Sequence, residues 1–166
     1  MYAKNTDAFT CSKCIEKTRH IEVDHVEVNG SAEAAINMKS PTASRATWEL
    51  DGLSIHHTYL HDITICSRGG SEGMYLGMSD YANGTDHLMR NVDVSSNRTL
   101  RIGWEAIQVG GAIATCAVHH NVSEFDSLAI EPGQQSAITL KKGSSCEVYA
   151  NQISDSTLHG VFDYGH

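Results

Sequence analysis

The stretch VSSNRTLRIGWEAIQV, residues 94–109, contains the two half-repeats that decide the fold of this chain. Its first half, residues 94–97, reads apolar-x-x-Asn, and its second half, residues 106–109, reads small-apolar-x-apolar. The step from Asn97 to Ile107 is 10 residues, which is too short to hold a helix but long enough for short strands and turns. The stretch therefore predicts a β structure with closely spaced strands.

Both halves recur along the chain in strict alternation. Strict or looser copies of the first half lie at residues 23–26, 55–58, 118–121 and 148–151. Copies of the second half lie at residues 35–38, 73–76, 137–140 and 160–162. Such a period predicts an all-β solenoid, a parallel β-helix of five to six rungs, with right-handed crossovers between its strands.

Side chains alternate between the two faces of a strand, so each half-repeat places one column of apolar residues inside the coil. The first strands contribute Val23, Ile55, Val94, Val118 and Val148, and the second strands contribute Ile36, Met74, Ile107, Ile138 and Val161. The Asn97, Asn121 and Asn151 column marks a bend, where Asn tolerates left-handed backbone and hydrogen-bonds along a ladder.

The length, charge and hydropathy of the chain limit the classes of molecule that it can bind. At 166 residues and 40% apolar content the chain is one domain, residues 1–166, with recognisable rungs at 19–163. Its net charge of -8 disfavours nucleic acid and anionic membrane surfaces. No apolar run is long enough for membrane insertion, and residues 1–11 lack the apolar region of a signal peptide.

The pattern starts and stops within a rung, without a helix to cover either end. Because an open solenoid end exposes apolar surface and strand edges, we expect a fragment of a longer protein that lacks its caps. Adjoining domains and self-association near Val161 and Phe162 are then expected. The absence of a signal peptide from a fragment is compatible with a secreted or cell-surface location.

The five cysteines are an odd number and suggest no disulfide framework. Cys116 and Cys146 each lie two residues before an inward valine, so we expect buried thiols stacked on successive rungs. Cys11 and Cys14 form a C-x-x-C without a second pair, which leaves free thiols, a metal site and a local disulfide open.

Unequal loop lengths predict a trough over the second-strand sheet. Residues 58–74 and 121–138 are long connections on one side, and between them we expect a short turn that carries Arg98, Arg101, Trp104 and Glu105. Residues 36–55 and 74–94 are long connections on the other side. The outward residues of the floor are Asn37, Tyr75, Gln108, Thr139 and Phe162. Aromatic faces, amides and hydroxyls in a row suit a sugar chain, although a solvated sheet face is the alternative.

Glu72 and Glu105 occupy equivalent positions on adjacent rungs, two residues before Met74 and Ile107. Neighbouring carboxyls can share a proton for acid–base catalysis or hold Ca²⁺; otherwise they point into solvent. His61 begins the long loop beside Glu72 and is a candidate base. Arg68 in that loop, and Arg101 with Trp104 across it, are candidate contacts for a uronate carboxylate.

The ten histidines include two pairs on the first-strand face. His56 and His119 fall in one column, and His57 and His120 fall in the next, with Ser95 and Ser96 between them. Because two rungs span about 10 Å, one metal ion cannot bridge these pairs, and we expect structural or solvated roles.

At several of these segments the chain resembles the right-handed parallel β-helix repeat proteins of the pectate-lyase-like superfamily. The segments are residues 20–28, 60–62, 73–77, 103–109 and 146–151. The chain looks especially like secreted bacterial surface proteins with rungs of the form HD...GEGxYxG...GWDGIQV, from which Ser71-Glu72-Gly73 and Trp104-Glu105-Ala106 depart slightly. The superfamily includes polysaccharide lyases, glycoside hydrolases, esterases and non-catalytic modules. The polygalacturonase motifs and the basic dyad of pectate lyases are missing.

Two functions follow. The first is an extracellular module that binds a polysaccharide in the trough and, if it is an enzyme, cleaves it as a lyase or hydrolase. Elimination would need Arg101, or Ca²⁺ at Glu72 and Glu105, to neutralise a uronate, with His61 or Tyr75 moving protons. The alternative is a non-catalytic structural or adhesive repeat segment of a large cell-surface protein.

Overall fold

The computed structural model describes residues 2–4, 9–10, 18–38, 49–63, 71–78 and 88–164. In these segments all regular secondary structure is β-strand, arranged in three parallel sheets. The prediction of an all-β parallel β-helix is confirmed. Since the described segments contain no helix, none of them offers a helical membrane span.

The first strands form the valine sheet, which contributes one strand to each of five rungs. Its strands are β3 (Thr18–Asp24), β6 (Glu49–His56), β9 (Leu88–Ser95), β12 (Ala112–His119) and β15 (Cys146–Tyr149). Four of them are bent at a residue with positive φ: His20, Gly52, Asn91 and Thr115. The bend makes the outward face of this sheet concave.

A middle sheet follows, which the two-strand repeat did not predict. Its strands are β1 (Tyr2–Lys4), β4 (Glu27–Asn29), β7 (Tyr59–Ile63), β10 (Arg98–Ile102), β13 (Val122–Glu124) and β16 (Gln152–Ser154). The 10-residue step thus holds a strand of its own, and Arg98 and Arg101 lie on β10 rather than in a short turn.

The second strands form the floor sheet. Its strands are β2 (Phe9–Thr10), β5 (Ile36–Met38), β8 (Met74–Gly77), β11 (Ile107–Gly110), β14 (Ser136–Leu140) and β17 (His159–Asp163). One strand from each sheet completes a rung, so the described residues form five full rungs preceded by β1 and β2.

The predicted inward columns form the core over four rungs. Their buried members are Val23, Ile36, Ile55, Met74, Val94, Ile107, Val118 and Ile138. The prediction was wrong for the fifth rung, where Val148 is half-buried and Val161 is 47% exposed. Strands β15, β16 and β17 pack against a described neighbour on one side only, which leaves these side chains partly open.

The asparagine column forms the expected ladder. Nδ2 of Asn97 donates to Oδ1 of Asn121 at 3.0 Å, and Nδ2 of Asn121 donates to Oδ1 of Asn151 at 3.0 Å. The left-handed residues, however, are those just before the ladder, including Ser96 and His120. In each turn, therefore, one residue has the left-handed backbone that reverses the chain. The asparagine after it provides the side-chain hydrogen bonds.

Cys116 and Cys146 are not free thiols. They are paired in register on β12 and β15, with Cα atoms 4.4 Å apart, and are joined by a disulfide. The repeat correctly placed them on successive rungs, but an odd cysteine count does not prevent one pair from bonding. Cys11 and Cys14 lie outside the described residues.

Candidate floor of a sugar-binding face and its surroundings

The predicted floor residues form one straight column across the floor sheet. Parallel pairing aligns Asn37 with Tyr75, Tyr75 with Gln108, Gln108 with Thr139, and Thr139 with Phe162. Their neighbours Ile107 and Val109 lie in the core, so the column faces outward. Asn37, Gln108 and Thr139 are nevertheless buried, whereas Tyr75 and Phe162 are half-buried. The face is therefore partly covered.

Gln108 is the unusual member of this column. Its side chain has 0% exposure, and neither its Oε1 nor its Nε2 has a hydrogen-bond partner in the described part of the chain. Oδ1 of Asn37, two rungs away, is also buried without a described hydrogen-bond partner. Buried amides almost always have partners, because an unpaired group costs about 1–3 kcal/mol. This strip of the floor thus contains buried donors and acceptors without described partners.

Glu105 lies beside the column and is fully buried. Its Oε1 is 3.2 Å from Nζ of Lys141, and in the amide orientation that satisfies both groups Nε2 of Gln134 donates to its carboxylate. Burial raises the pKa of Glu105, while the charge of Lys141 and hydrogen bonds from Lys141 and Thr139 lower it. The segment around Gln134 therefore covers this end of the floor.

Glu72 occupies the equivalent position one rung away, as predicted. The backbone N–H of Gly73 donates to the carbonyl of Glu105 at 2.9 Å, and that of Ala35 donates to the carbonyl of Glu72 at 3.0 Å. The Glu72 side chain is also buried. A catalytic or Ca²⁺-binding role for the pair stays a prediction.

His61 and Arg101 meet on a different face. Both lie on the middle sheet and contact Asp62: Nδ1 of His61 is 2.7 Å from Oδ2, and Nε and Nη2 of Arg101 donate at 2.5 and 2.7 Å. The Arg101 hydrogen bond is the main reason why the pKa of Asp62 falls to about 2, and His61 adds to it. Nε2 of His61 lies 3.1 Å from Glu27. These two predicted residues form a cluster with each other, apart from the column of Tyr75 and Gln108.

Trp104 connects the two regions through its backbone. Its N–H donates to the Ser71 carbonyl at 3.0 Å, its carbonyl accepts from the N–H of Ser127 at 2.9 Å, and its side chain is half-buried. Arg68 lies outside the described residues, so its predicted contact with a sugar acid stays a prediction.

The sequence did not predict a groove on the valine sheet. A depression of about 700 Å³ is lined by Asn91, Asp93, Thr115 and Glu147 among others. A second, of about 310 Å³, shares Asn91 and Asp93 and extends to His20 and Glu22. Positive φ at His20, Asn91 and Thr115 folds the strands around this groove, and a non-glycine residue with left-handed backbone has no clear signature in a single sequence.

The same face carries a cluster of histidine side chains, which the sequence repeat did not predict. Ligand atoms of Asp24, His25 and His57 all lie within 4.8 Å of one another, and His56 adjoins them. The copies at residues 23–26 and 55–58 already placed Asp24 beside His56 on adjacent rungs, a spacing that could have revealed the cluster.

No protein-family model matches the chain, and no significantly similar curated protein or solved structure was found. The fold and the side-chain geometry therefore carry the functional argument alone.

Proposed function

We propose that this chain is a polysaccharide-binding β-helix module of the pectate-lyase-like type, with the sugar chain lying along the outward face of the floor sheet. The observation that carries the proposal is the buried, unpartnered amide of Gln108 in the middle of that face. Sugar hydroxyls both donate and accept hydrogen bonds, so they can satisfy its Oε1 and Nε2 together.

The rest of the column supports a polymer rather than a small molecule. Tyr75 lies one rung before Gln108 and Phe162 lies two rungs after it, and successive rungs are about 4.8 Å apart. Aromatic faces at two points, with amides and a hydroxyl between and beside them, suit successive sugar units of one chain.

The geometry of the carboxylates favours a module that binds the polysaccharide over an enzyme that cleaves it. A general acid or base must reach the glycosidic oxygen or the ring proton directly or through one water. The carboxylate of Glu105 is already occupied by Lys141 and Gln134, so neither of its oxygens is available to a substrate. This supports a module that binds a glycan without cleaving it.

The disulfide supports a secreted or cell-surface location. Disulfides persist in oxidising compartments and are rare in the cytosol. The bond between Cys116 and Cys146 lies between strands of two rungs, where it has the role of a structural crosslink.

A glycan array with wild-type protein and the Gln108→Leu variant tests the proposal. Replacing an unpaired buried amide by an apolar group of similar size is neutral or stabilising. We therefore expect unchanged or higher resistance to urea, together with at least tenfold weaker binding to the selected glycan. Gln152→Leu, at an exposed position of the middle sheet, should bind as the wild type does. Equal binding by all three proteins, or no glycan bound by the wild type, would refute the proposal.

Tyr75→Ala tests the aromatic contact. We expect it to weaken binding by about 1–2 kcal/mol through lost stacking and apolar contact. Tyr149→Ala is the matched control, because Tyr149 is an exposed aromatic residue on the valine sheet.

Catalysis is tested by absorbance of unsaturated uronate products and by a reducing-sugar assay. If the chain cleaves its ligand, Glu72→Gln and Glu105→Gln should abolish turnover. If the pair holds Ca²⁺ instead, they should abolish calcium-dependent binding. We expect no turnover by the wild type, and measurable cleavage would overturn the binding-only version.

A further inference from the structure

We propose that Asp24, His25, His56 and His57 form a binding site for a divalent transition-metal ion of the zinc class. The site lies at the turn between the valine sheet and the middle sheet, on two adjacent rungs. It is separate from the floor sheet and does not depend on the proposed sugar-binding function.

The fold brings these residues together through its register. Asp24 pairs with His56 across β3 and β6, so the next residues, His25 and His57, also lie side by side. Both have left-handed backbone, with φ of 51° and 52°, and their rings stack with centroids 5.1 Å apart. Identical backbone turns thus hold two imidazoles in parallel.

The nitrogen and oxygen atoms converge. Oδ1 of Asp24 lies 2.5 Å from Nδ1 of His25, 2.9 Å from Nδ1 of His56 and 3.7 Å from Nδ1 of His57. Nδ1 of His56 lies 2.9 Å from Nδ1 of His57. Tetrahedral Zn²⁺ with ligands at about 2.0–2.2 Å holds them about 3.4 Å apart. The Asp24–His57 separation is close to this value, and the shorter contacts are hydrogen bonds that need to open by about 1 Å or less when an ion replaces the shared proton.

A second observation concerns the other side of the His56 ring. Its Nε2 is 2.9 Å from Oε1 of Glu22, so this nitrogen donates its proton to a carboxylate. In the neutral ring the lone pair is then on Nδ1, the atom that faces Asp24 and His57. A carboxylate that holds a ligating histidine in this way is the usual second partner in zinc sites, and Glu22 is a positioning residue here.

The chain contains its own comparison. His119 and His120 repeat the local geometry, with Nδ1 atoms 2.7 Å apart and Nε2 of His119 2.8 Å from Asp93. The register neighbours of His119, however, are Ser95 on one side and Tyr149 on the other, which offer no imidazole or carboxylate. This second pair should bind metal much more weakly.

The donor set decides the class of ion. Three imidazoles and one carboxylate suit Zn²⁺, Ni²⁺ or Cu²⁺, whereas Ca²⁺ and Mg²⁺ require mostly oxygen ligands. The side chains of His25 and His57 are 73% and 55% exposed, so an ion can enter from solvent without unfolding. A bound ion would link two rungs and keep a solvent-facing side.

The test uses tag-free protein, stripped of metal with a chelator and with its thiols alkylated so that cysteines cannot bind zinc. Isothermal titration with ZnCl₂ should show one ion per chain with micromolar or tighter affinity, and CaCl₂ should show no binding. His25→Asn and His57→Asn should each weaken zinc binding at least tenfold. His120→Asn is the matched control, because residue 120 also has left-handed backbone, with φ of 54°. Asn tolerates that backbone, so all three variants should fold, which thermal unfolding verifies.

Glu22→Gln should weaken binding by about tenfold, as expected for loss of a partner that orients a ligand. Absence of zinc binding would overturn the proposal. Equal affinity in the wild type and His57→Asn would do the same, as would an equal loss in His57→Asn and His120→Asn.

Discussion

At the scale of single residues, the interior asparagines hold the rungs together through side-chain hydrogen bonds. Oδ1 of Asn121 accepts from both the backbone N–H and Nδ2 of Asn97, and its Nδ2 donates to the Val94 carbonyl and to Asn151. Asn97 and Asn121 lie at the turns that follow β9 and β12, and Val94 lies near the end of β9. The side chain therefore replaces backbone hydrogen bonds inside an otherwise apolar coil.

We expect Asn121→Ala to lower the free energy of unfolding by about 2–4 kcal/mol, since several buried donors and acceptors lose their partners at once. Urea denaturation followed by circular dichroism measures the change. Gln152→Ala removes an exposed amide from β16 and should cost less than about 0.5 kcal/mol. Similar losses in the two variants would contradict a structural role for the ladder.

Lys141 compensates the buried charge of Glu105. Removing one partner of a buried ion pair leaves an uncompensated charge, so Lys141→Met should cost about 3–5 kcal/mol at pH 7. Burial raises the pKa of Glu105 in the folded state, so its protonation stabilises the fold as pH falls through that value. The loss in Lys141→Met should therefore shrink at pH 5.

Urea titrations at both pH values, with Glu105→Gln/Lys141→Met as the control, check this expectation. The double variant buries no unpaired charge and should lose less stability than Lys141→Met does. A loss in Lys141→Met that is the same at pH 7 and pH 5 would show that the Lys141 methylenes, not the charge, matter.

At the scale of strands, the disulfide joins β12 to β15 and so ties the least buried rung to the core. Its loop spans 30 residues in sequence. Closing a loop of this length restricts the unfolded chain, which gives a stabilisation of about 3–4 kcal/mol. We expect Cys116→Ser/Cys146→Ser to lose about this amount in urea denaturation. Reductant should destabilise the wild type and leave the double variant unchanged; if reductant does not affect the wild type, the bond does not stabilise the fold.

The sequence predicted the valine and floor strands because their inward residues are consistently apolar. The sequence did not predict the middle strands, because their inward column includes the polar residues Thr99 and Ser123. These two side chains are buried and hydrogen-bonded to each other at 2.9 Å. An apolar pattern cannot reveal a column that pairs its hydroxyls inside the coil. The missing strand also led to the wrong placement of Arg98 and Arg101.

At the scale of the whole molecule, each face of the three-sided coil has its own chemistry. The floor sheet presents an amide, hydroxyl and aromatic column, the middle sheet presents the Asp62 cluster, and the valine sheet presents a groove with the histidine site. Residue spacing predicted the floor column and the equivalence of Glu72 and Glu105. It could not predict the burial of Gln108 and Glu105, because burial depends on how segments such as that around Gln134 fold over the sheet.

The most direct test of the central claim follows the side-chain amide of Gln108 by NMR during titration with an oligosaccharide of the glycan that the array selects. If the sugar chain lies on the floor sheet, the resonances of the Nε2 protons of Gln108 should shift as the oligosaccharide binds. The amide of Gln152, exposed on the middle sheet, should stay unchanged. Shifts at Gln152 or along the valine sheet, with the Gln108 amide unaffected at saturation, would contradict the account.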